Sequence, residues 1–292
     1  MAGLKEIRTR IASVKTTRQV TSAMKMVSAA KLKKAQDAIL QIRPYAEKLH
    51  EILTSLSASL ENAEDSVYTQ PRNPGKVLIV LITSNRGLCG GFNANISKKA
   101  VELADTKYNR QLQLGNVDVV CLGKQGERQM KHRGMNVVGN KNEIFDELTF
   151  ERVSEFASEI MKSFADGSYD RVELVYNQFK NAAVQIQTTE QFLPVEMEEN
   201  KEQGANFDFI YEPSKEEIIA ELIPRSLKIQ VYKALLDSNA AEHGARMTAM
   251  HQATDNATEI MRELTLQYNK ARQATITGEI LEIVSGAEAL KG

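Results

Sequence analysis

The residues from Ser84 to Gly91 (SNRGLCGG) are the first place in the chain where chemistry could sit. A glycine-rich turn between a strand and a helix can bring backbone N–H groups to a phosphate. The spacing argues against that use. A dinucleotide fingerprint needs G-x-G-x-x-G and a phosphate loop needs G-x-x-x-x-G-K-[ST]; Gly87, Gly90 and Gly91 fit neither, and Phe92 stands where the lysine would be. A second turn, Gly123 to Gly126 (GKQG), fails the same comparison. These glycines read instead as tight strand-to-helix turns, where positive φ carries little strain only for glycine.

No other constellation points to catalysis. Cys89 and Cys121 have no C-x-x-C spacing, and His50, His132, His243 and His251 are scattered singly, which argues against a zinc site and against a disulfide scaffold. Both thiols read as reduced, small hydrophobes. The carboxylates lie in charge-mixed helical faces or in the acidic loop Glu196 to Gly204 (EMEENKEQG), and no nucleophile motif such as G-x-S-x-G occurs. The expectation is a chain without catalysis of its own, without a cofactor and without a metal.

The elements that would position any binding surface are legible from composition. The chain has 292 residues, 42% of them hydrophobic, enough to bury a real core. No stretch approaches the ~18 to 20 apolar residues of a membrane span, and the N-terminus lacks the apolar run of a signal peptide, so a soluble, unprocessed chain is expected. The net charge of −1 hides an asymmetry: residues 1 to 50 hold eleven Lys/Arg against three Asp/Glu, and residues 51 to 224 hold eighteen against twenty-seven. A basic arm is set against an acidic body. Such an arm could be a solvated face, could bind a nucleic-acid duplex, or could align an acidic protein partner; single-strand binding is disfavoured because no aromatic platform precedes Tyr45.

From Gly3 to Arg43 there is no Pro and no further Gly, and the residues are good helix formers, which predicts one long helix. Its apolar positions fall in three groups: Ile7, Ile11 and Val14; Val20, Met24 and Val27; Leu32, Ala35, Ile39 and Ile42. That 4–3 spacing marks a narrow seam. Pro44 is expected to kink the helix, with helical pattern resuming to Leu60. At the far end Met247, Met250, Thr254, Ala257, Met261, Leu264, Tyr268 and Ala271 follow an unbroken 3–4 seam, which predicts a second strand of coiled coil from Arg225 to Ser285, weakened at Gly244 and Gly278 by ~1 kcal/mol each. Two seams too narrow to be buried by a globule most simply bury each other, antiparallel.

The middle has a different texture. Lys76 to Thr83 (KVLIVLIT) reads as a strand buried on both faces. Helix Asn93 to Tyr108, strand Val117 to Leu122, helix Lys124 to Lys131, strand Met135 to Val138 and helix Phe150 to Phe164 follow, and then Arg171 to Gln178 and Ala183 to Leu193 as an antiparallel pair. This alternation predicts an α/β fold with a mostly parallel, doubly wound sheet and a mixed edge.

With the elements laid out, a family resemblance emerges. The start (IRTRIASV, Ile7 to Val14; MKMVSAAKLKKAQ, Met24 to Gln36), the middle (RGLCGG, Arg86 to Gly91; FDFIYEP, Phe207 to Pro213) and the end (ARMTAMHQATDN, Ala245 to Asn256; YNKARQATITGEILEIVSGAEAL, Tyr268 to Leu290) resemble the gamma subunit of F-type ATP synthases. The family's signature I-T-x-E-x-x-[DE]-x-x-x-G-A is met by Ile276, Thr277, Glu279, Glu282, Gly286 and Ala287.

The resemblance implies an α/β fold with long helical arms: an antiparallel coiled coil of N- and C-terminal helices (1–70 and 207–292) and a central Rossmann-like domain (71–206) that binds no nucleotide. It implies a rotor shaft inside a hexamer of alpha and beta subunits that couples proton or other ion flow to ATP synthesis or hydrolysis and regulates both. Its partners would be those subunits, the epsilon subunit and the membrane ring of c subunits, with no nucleic acid and no small-molecule substrate. Residue by residue, Met24 and Arg246 match sites facing acidic loops of the beta subunit. Arg272, Gln273 and Thr277 match sites near its catch loop, and Tyr211 and Glu212 lie in the foot that would face epsilon and the ring. The cysteine pair of plant-type relatives is not matched by Cys89 and Cys121, so no thiol control is expected. The lack of a transit peptide places the expected location at the cytoplasmic face of a bacterial plasma (inner) membrane, as a peripheral protein. A stand-alone coiled-coil scaffold and a nucleotide enzyme remain as alternatives.

Overall fold

A computed structural model describes residues 3–58, 67–70, 72–195 and 215–289. The elements run α1 (Leu4–Ala58), β1 (Val77–Ile82), α2 (Phe92–Lys107), α3 (Asn109–Gln113), β2 (Val117–Leu122), α4 (Lys124–His132), β3 (Asn136–Asn140), a 3-10 turn (Asn142–Phe145), α5 (Phe150–Ala165), β4 (Arg171–Phe179), β5 (Gln185–Leu193) and α6 (Lys215–Ala289). They form two compact units, Ala29–Arg246 and Met1–Ser28 with Met247–Gly292, and both α1 and α6 contribute to each.

In the first unit the sheet runs β3-β2-β1-β4-β5, with β5 antiparallel to β4 and every other pairing parallel. The apolar run VLIVLI becomes β1, all six residues buried, because alternate side chains face different helical layers. Val77, Ile79 and Leu81 meet Ile96, Ala100 and Ala104 of α2. Leu78, Val80 and Ile82 meet Val153, Phe156 and Ile160 of α5, and also Leu227, Val231 and Leu235 of α6. The expected β/α alternation and the antiparallel edge are both present. Pattern reading missed two short pieces, α3 and the 3-10 turn, which bury few side chains and so leave no apolar period. Strand β5 begins at Gln185 rather than Ala183 because the Asn181 carboxamide oxygen accepts from the N–H groups of Ala183 and Val184, closing a turn there.

Two prolines sit inside helices. Pro44 leaves α1 assigned as one helix, and α6 starts at Lys215, ten residues before the expected Arg225, with Pro224 inside it. A proline interior to a helix removes one backbone hydrogen bond and crowds the preceding turn. Ile223 and Leu227, 2% and 3% exposed against the sheet core, hold the helix across that point.

The second unit is an antiparallel coiled coil of the N-terminal part of α1 and the C-terminal part of α6. Met250, Ala257 and Leu264 are buried and Met247, Thr254, Met261, Tyr268 and Ala271 half-buried, so the predicted seam of α6 is the one used. The seam of α1 is shifted in its middle group. Val20 and Val27 are 52% and 57% exposed, while Thr21 and Ser28, one residue further on, are buried. The small hydroxyl residues allow close approach, and Thr21 Oγ1 lies 2.8 Å from Thr254 Oγ1, one hydroxyl donating to the other. A hydrogen-bonded pair of this kind fixes register in a way the valines could not.

Candidate functional site

The glycine-rich turn after β1 lies where an open α/β sheet would bind a ligand, since β1 is flanked by β2 on one side and β4 on the other and the chain order switches there. In this molecule α6 lies across that position. Cys89 and Phe92 of the turn pack on Ala241 and Ala245 of α6, with Phe179 from the end of β4 beside them. Gly244 explains the closeness of the approach: a Cβ there would meet Ala182 Cα at 3.1 Å and Phe179 Cε2 at 3.4 Å. What reads in sequence as a weak point of the helix is a packing requirement, whereas Gly278 meets nothing within 4 Å.

Polar groups complete the closure. Arg246 is 7% exposed; its Nη1 donates to Glu242 Oε1 at 2.6 Å and its Nη2 to the carbonyls of Arg86 at 3.0 Å and Gly87 at 3.4 Å. Inside the turn, Ser84 Oγ donates to the Arg86 carbonyl at 2.7 Å, Asn93 Oδ1 accepts from Ser84 N at 3.0 Å, and Asn93 Nδ2 donates to Ser84 Oγ at 2.8 Å and Cys89 Sγ at 3.2 Å. Gly90 takes positive φ as expected, but so does Leu88, at 63°, where a bulky side chain is strained. The GKQG turn is set by contact: a Cβ on Gly123 would stand 2.3 Å from the Thr83 carbonyl oxygen, and Gly126 N donates to Thr83 Oγ1 at 2.9 Å. Cys89 and Phe92 of the first turn and the two glycines of the second therefore face protein, while Arg86 to Leu88, Gly90 and Gly91 stay exposed.

Burial sets the charge states nearby. Desolvation pushes the Asp237 carboxyl up to about 6 against the opposing pull of Lys233 and Arg43. His243 is lowered to about 4 by burial, then by Arg246 and Lys31. Burial also raises both thiols, Cys121 to about 12, which keeps them protonated and unreactive. A polar groove between α2 and the β4–β5 edge carries cancelling charges, Lys107 to Glu173 at 2.7 Å and Lys99 to Glu102 at 3.6 Å. Among the described residues no group of three or more His, Cys, Asp or Glu converges to hold a metal, and no helix is long and apolar enough to cross a membrane.

The remaining candidates lie on the coiled coil. Counting seventeen residues from Thr21 back along α1 and from Thr254 forward along α6 sets Leu4 opposite Ala271, so α6 from Arg272 to Ala289 runs past the start of its partner helix. Arg272, Gln273 and Thr277 are all exposed in this stretch. So are Ile276, Ile280, Leu281, Ile283 and Val284, at 46% to 71%. Met24 is half-buried beside the seam. The structure therefore groups Arg272, Gln273 and Thr277 on one free helix, and turns Arg246, in the other unit, inward. Tyr211 and Glu212 lie outside the described residues. Glu242 and Leu88 were not singled out by sequence; the pairing of Glu242 with Arg246 at i, i+4 was the available signal.

This architecture, a doubly wound domain built on two long terminal helices, is that of known rotary ATP synthase stalk chains. A chain of the Euglena gracilis mitochondrial ATP synthase (OSCP/F1/c-ring) superposes with a TM-score of 0.69 at 20% identity, over 98% of this chain and 94% of that one. A Tetrahymena thermophila central stalk/c-ring chain gives 0.57 at 24% identity, over 80% and 99%. Sequence kinship narrows the class. A family model described as ATP synthase matches residues 3–290. The ATP synthase gamma chain of Flavobacterium johnsoniae is 58% identical over the full length of both chains, and that of Chlorobaculum tepidum 45%. The chain belongs to the ATP synthase gamma chain family.

Proposed function

We infer that this chain is the central rotor shaft of an F-type ATP synthase, a non-catalytic subunit that couples ion flow to ATP synthesis or hydrolysis. Two observations support the reading. Kinship to gamma chains covers the whole chain. The free end of α6, residues 272–289, exposes large aliphatic side chains along a single unpartnered helix, a surface that water disfavours and an apolar sleeve would cover. The plugged switch point fits a subunit whose own domain performs no nucleotide chemistry.

The chain associates with the membrane-bound complex peripherally. Within it, the sleeve is the collar of the alpha and beta subunits, and Arg272, Gln273 and Thr277 meet the catch loop of a beta subunit. Met24 and the exposed basic residues of α1, among them Lys5, Arg8 and Lys15, face acidic loops of beta. A moving charge acts on those loops only through contacts that differ between their open and closed states, which a turning shaft supplies in sequence. The segment Phe207 to Glu212 contacts epsilon and the c ring at the cytoplasmic face of the inner membrane. Arg246 faces the same acidic loops by resemblance, and within the chain its Nη1 and Nη2 bond Glu242 and the carbonyls of Arg86 and Gly87.

The test is assembly followed by turnover. The chain is expected to co-purify with three alpha and three beta subunits, and replacing Arg272 and Gln273 by Ala to lower ATPase turnover of the complex without reducing its yield. Unchanged turnover would return both residues to the status of exposed helix surface.

A further inference from the structure

The charges of the central domain are sorted along one edge of its sheet. Strands β1, β2, β3 and β4 all start there, with Val77 in register with Val117 and Arg171, and Asp118 with Asn136. Ala241 and Ala245 of α6 reach the turn after β1, at the opposite edge, so α6 begins on the side of the strand starts. The segment before α6 is the one proposed above to meet the c ring.

Two carboxylates of this edge are turned inward. Asp118, 2% exposed, holds Lys76 at 3.2 Å and accepts from Tyr169 at 3.0 Å and from Asn136 at 2.6 Å. Glu173, 1% exposed, holds Lys107 at 2.7 Å and accepts from Tyr108. Ahead of β2 and β3 the residues Arg110, Lys131, His132 and Arg133 are all exposed. Lys131 pairs with Glu127 at 2.7 Å and Asp105 is an exposed carboxylate on the same side, but Arg110 and Arg133 have no ion pair among the described residues. Between α3 and β2, Leu114 stands 66% exposed at a turn where Gly115 takes a φ of 73°. A helix dipole favours cations in the last turn of α4, which accounts for Lys131 and His132. It does not account for Arg110, nor for an aliphatic side chain held in water at the same edge.

We propose that this edge is a lipid-contacting surface: Arg110 and Arg133 meet anionic phospholipid headgroups, and Leu114 enters the boundary between headgroups and acyl chains. The proposal rests on the shaft reading, which puts the start of α6 at the membrane, and its test separates the two. An anionic bilayer surface attracts the cations and takes up the aliphatic side chain. The attraction falls off within about 8 Å at physiological salt, so the edge nearest the membrane is the part of the domain that feels it. Headgroups also suit a turning domain. They are mobile and carry no fixed register, so the contact persists at every angle, whereas an acidic loop on a stationary protein would be met once per turn.

The intact complex, with Leu114→Cys carrying a bimane label and its other accessible cysteines replaced, is reconstituted into phosphatidylcholine vesicles with and without phosphatidylglycerol. Headgroup spin-labelled lipid is the quencher, and a label at Val184, at the opposite edge, reports the background. The expected result is quenching at position 114 about twofold or more above that background when phosphatidylglycerol is present, lost in phosphatidylcholine alone, in high salt and in the Arg110→Gln/Arg133→Gln variant. Equal quenching at the two positions overturns the proposal, and so does quenching indifferent to anionic lipid, salt or the two arginines. A label at 114 shielded from aqueous iodide as fully in detergent-solubilised complex as in vesicles also overturns it, because a protein partner would then cover the edge. Should the double variant not assemble, the lipid and salt dependence of the parent decides. Failure of the parent chain to assemble with alpha and beta would strike the shaft reading instead.

Discussion

Buried Asp237 and His243 pull the pH dependence of stability in opposite directions. His243 is held neutral in the fold, with its pKa lowered to about 4 by burial, Arg246 and Lys31. The unfolded chain then binds the extra proton between about pH 4 and 6.5, so this group's contribution is complete above that window and is lost as pH falls through it. Asp237, raised to about 6 by burial and Glu190 against Lys233 and Arg43, keeps its proton in the fold where the unfolded chain has lost it, so its contribution is lost as pH rises through about 4 to 6. Each group is worth up to roughly 3 kcal/mol at 1.36 kcal/mol per pKa unit, and together they nearly cancel. Replacing His243 by Gln should therefore make stability fall more steeply with rising pH between 4 and 6 than in the parent, and replacing Asp237 by Asn should do the reverse, both measured by urea unfolding of the full chain. Parallel shifts in the two variants would show that the groups are not buried as described. The two thiols, buried and raised, are expected to leave ATPase activity insensitive to mild dithiothreitol.

At the scale of elements, the coiled coil is pinned by a polar contact. Thr21 and Thr254 share a hydrogen bond at 2.8 Å, and Thr254 also lies 2.7 Å from the Met250 carbonyl of its own helix. Replacing one threonine by valine strands part of the other's hydrogen bonding at a cost of about 1 kcal/mol, whereas replacing both removes the polar requirement altogether. A double-mutant cycle by urea unfolding should show the double variant destabilised by less than the sum of the singles; strict additivity would mean the two hydroxyls do not interact. The same contact explains the misplaced seam. Apolar period alone selects Val20 and Val27, but a helix of 3.6 residues per turn drifts against a heptad, and one residue of drift brings Thr21 and Ser28 to the interface. The valines left outside, with Met26 at 65% exposure, join the apolar surface of this unit.

For the whole molecule, surface that is unpaired within the chain is the signature of a part. The end of α6 from Arg272 to Ala289 has neither a partner helix nor a buried residue among those described. A lone helix of that length is marginal in water. In the isolated chain its amides should exchange within seconds to minutes, and in the assembled complex they should gain protection of a hundredfold or more, read by mass spectrometry. Equal protection in both states would mean that the helix stands without a sleeve.

The sequence by itself determined the β/α alternation, the buried run of β1, the antiparallel edge and the seam of α6, because each leaves a local period that burial enforces residue by residue. It also excluded a phosphate loop, since Gly87, Gly90 and Gly91 have the wrong spacing. Tertiary structure alone decided what closes the switch point. Arg246 and the carbonyls of Arg86 and Gly87 are some 160 residues apart in the chain, so no local pattern could join them, and a charged residue on a long helix reads as exposed until its partners are seen. The same holds for Gly244, a helix breaker in one dimension and a contact point in three. Propensity and period report on each residue's neighbours in sequence, whereas the contacts of Arg246 and Gly244 are made by neighbours in space.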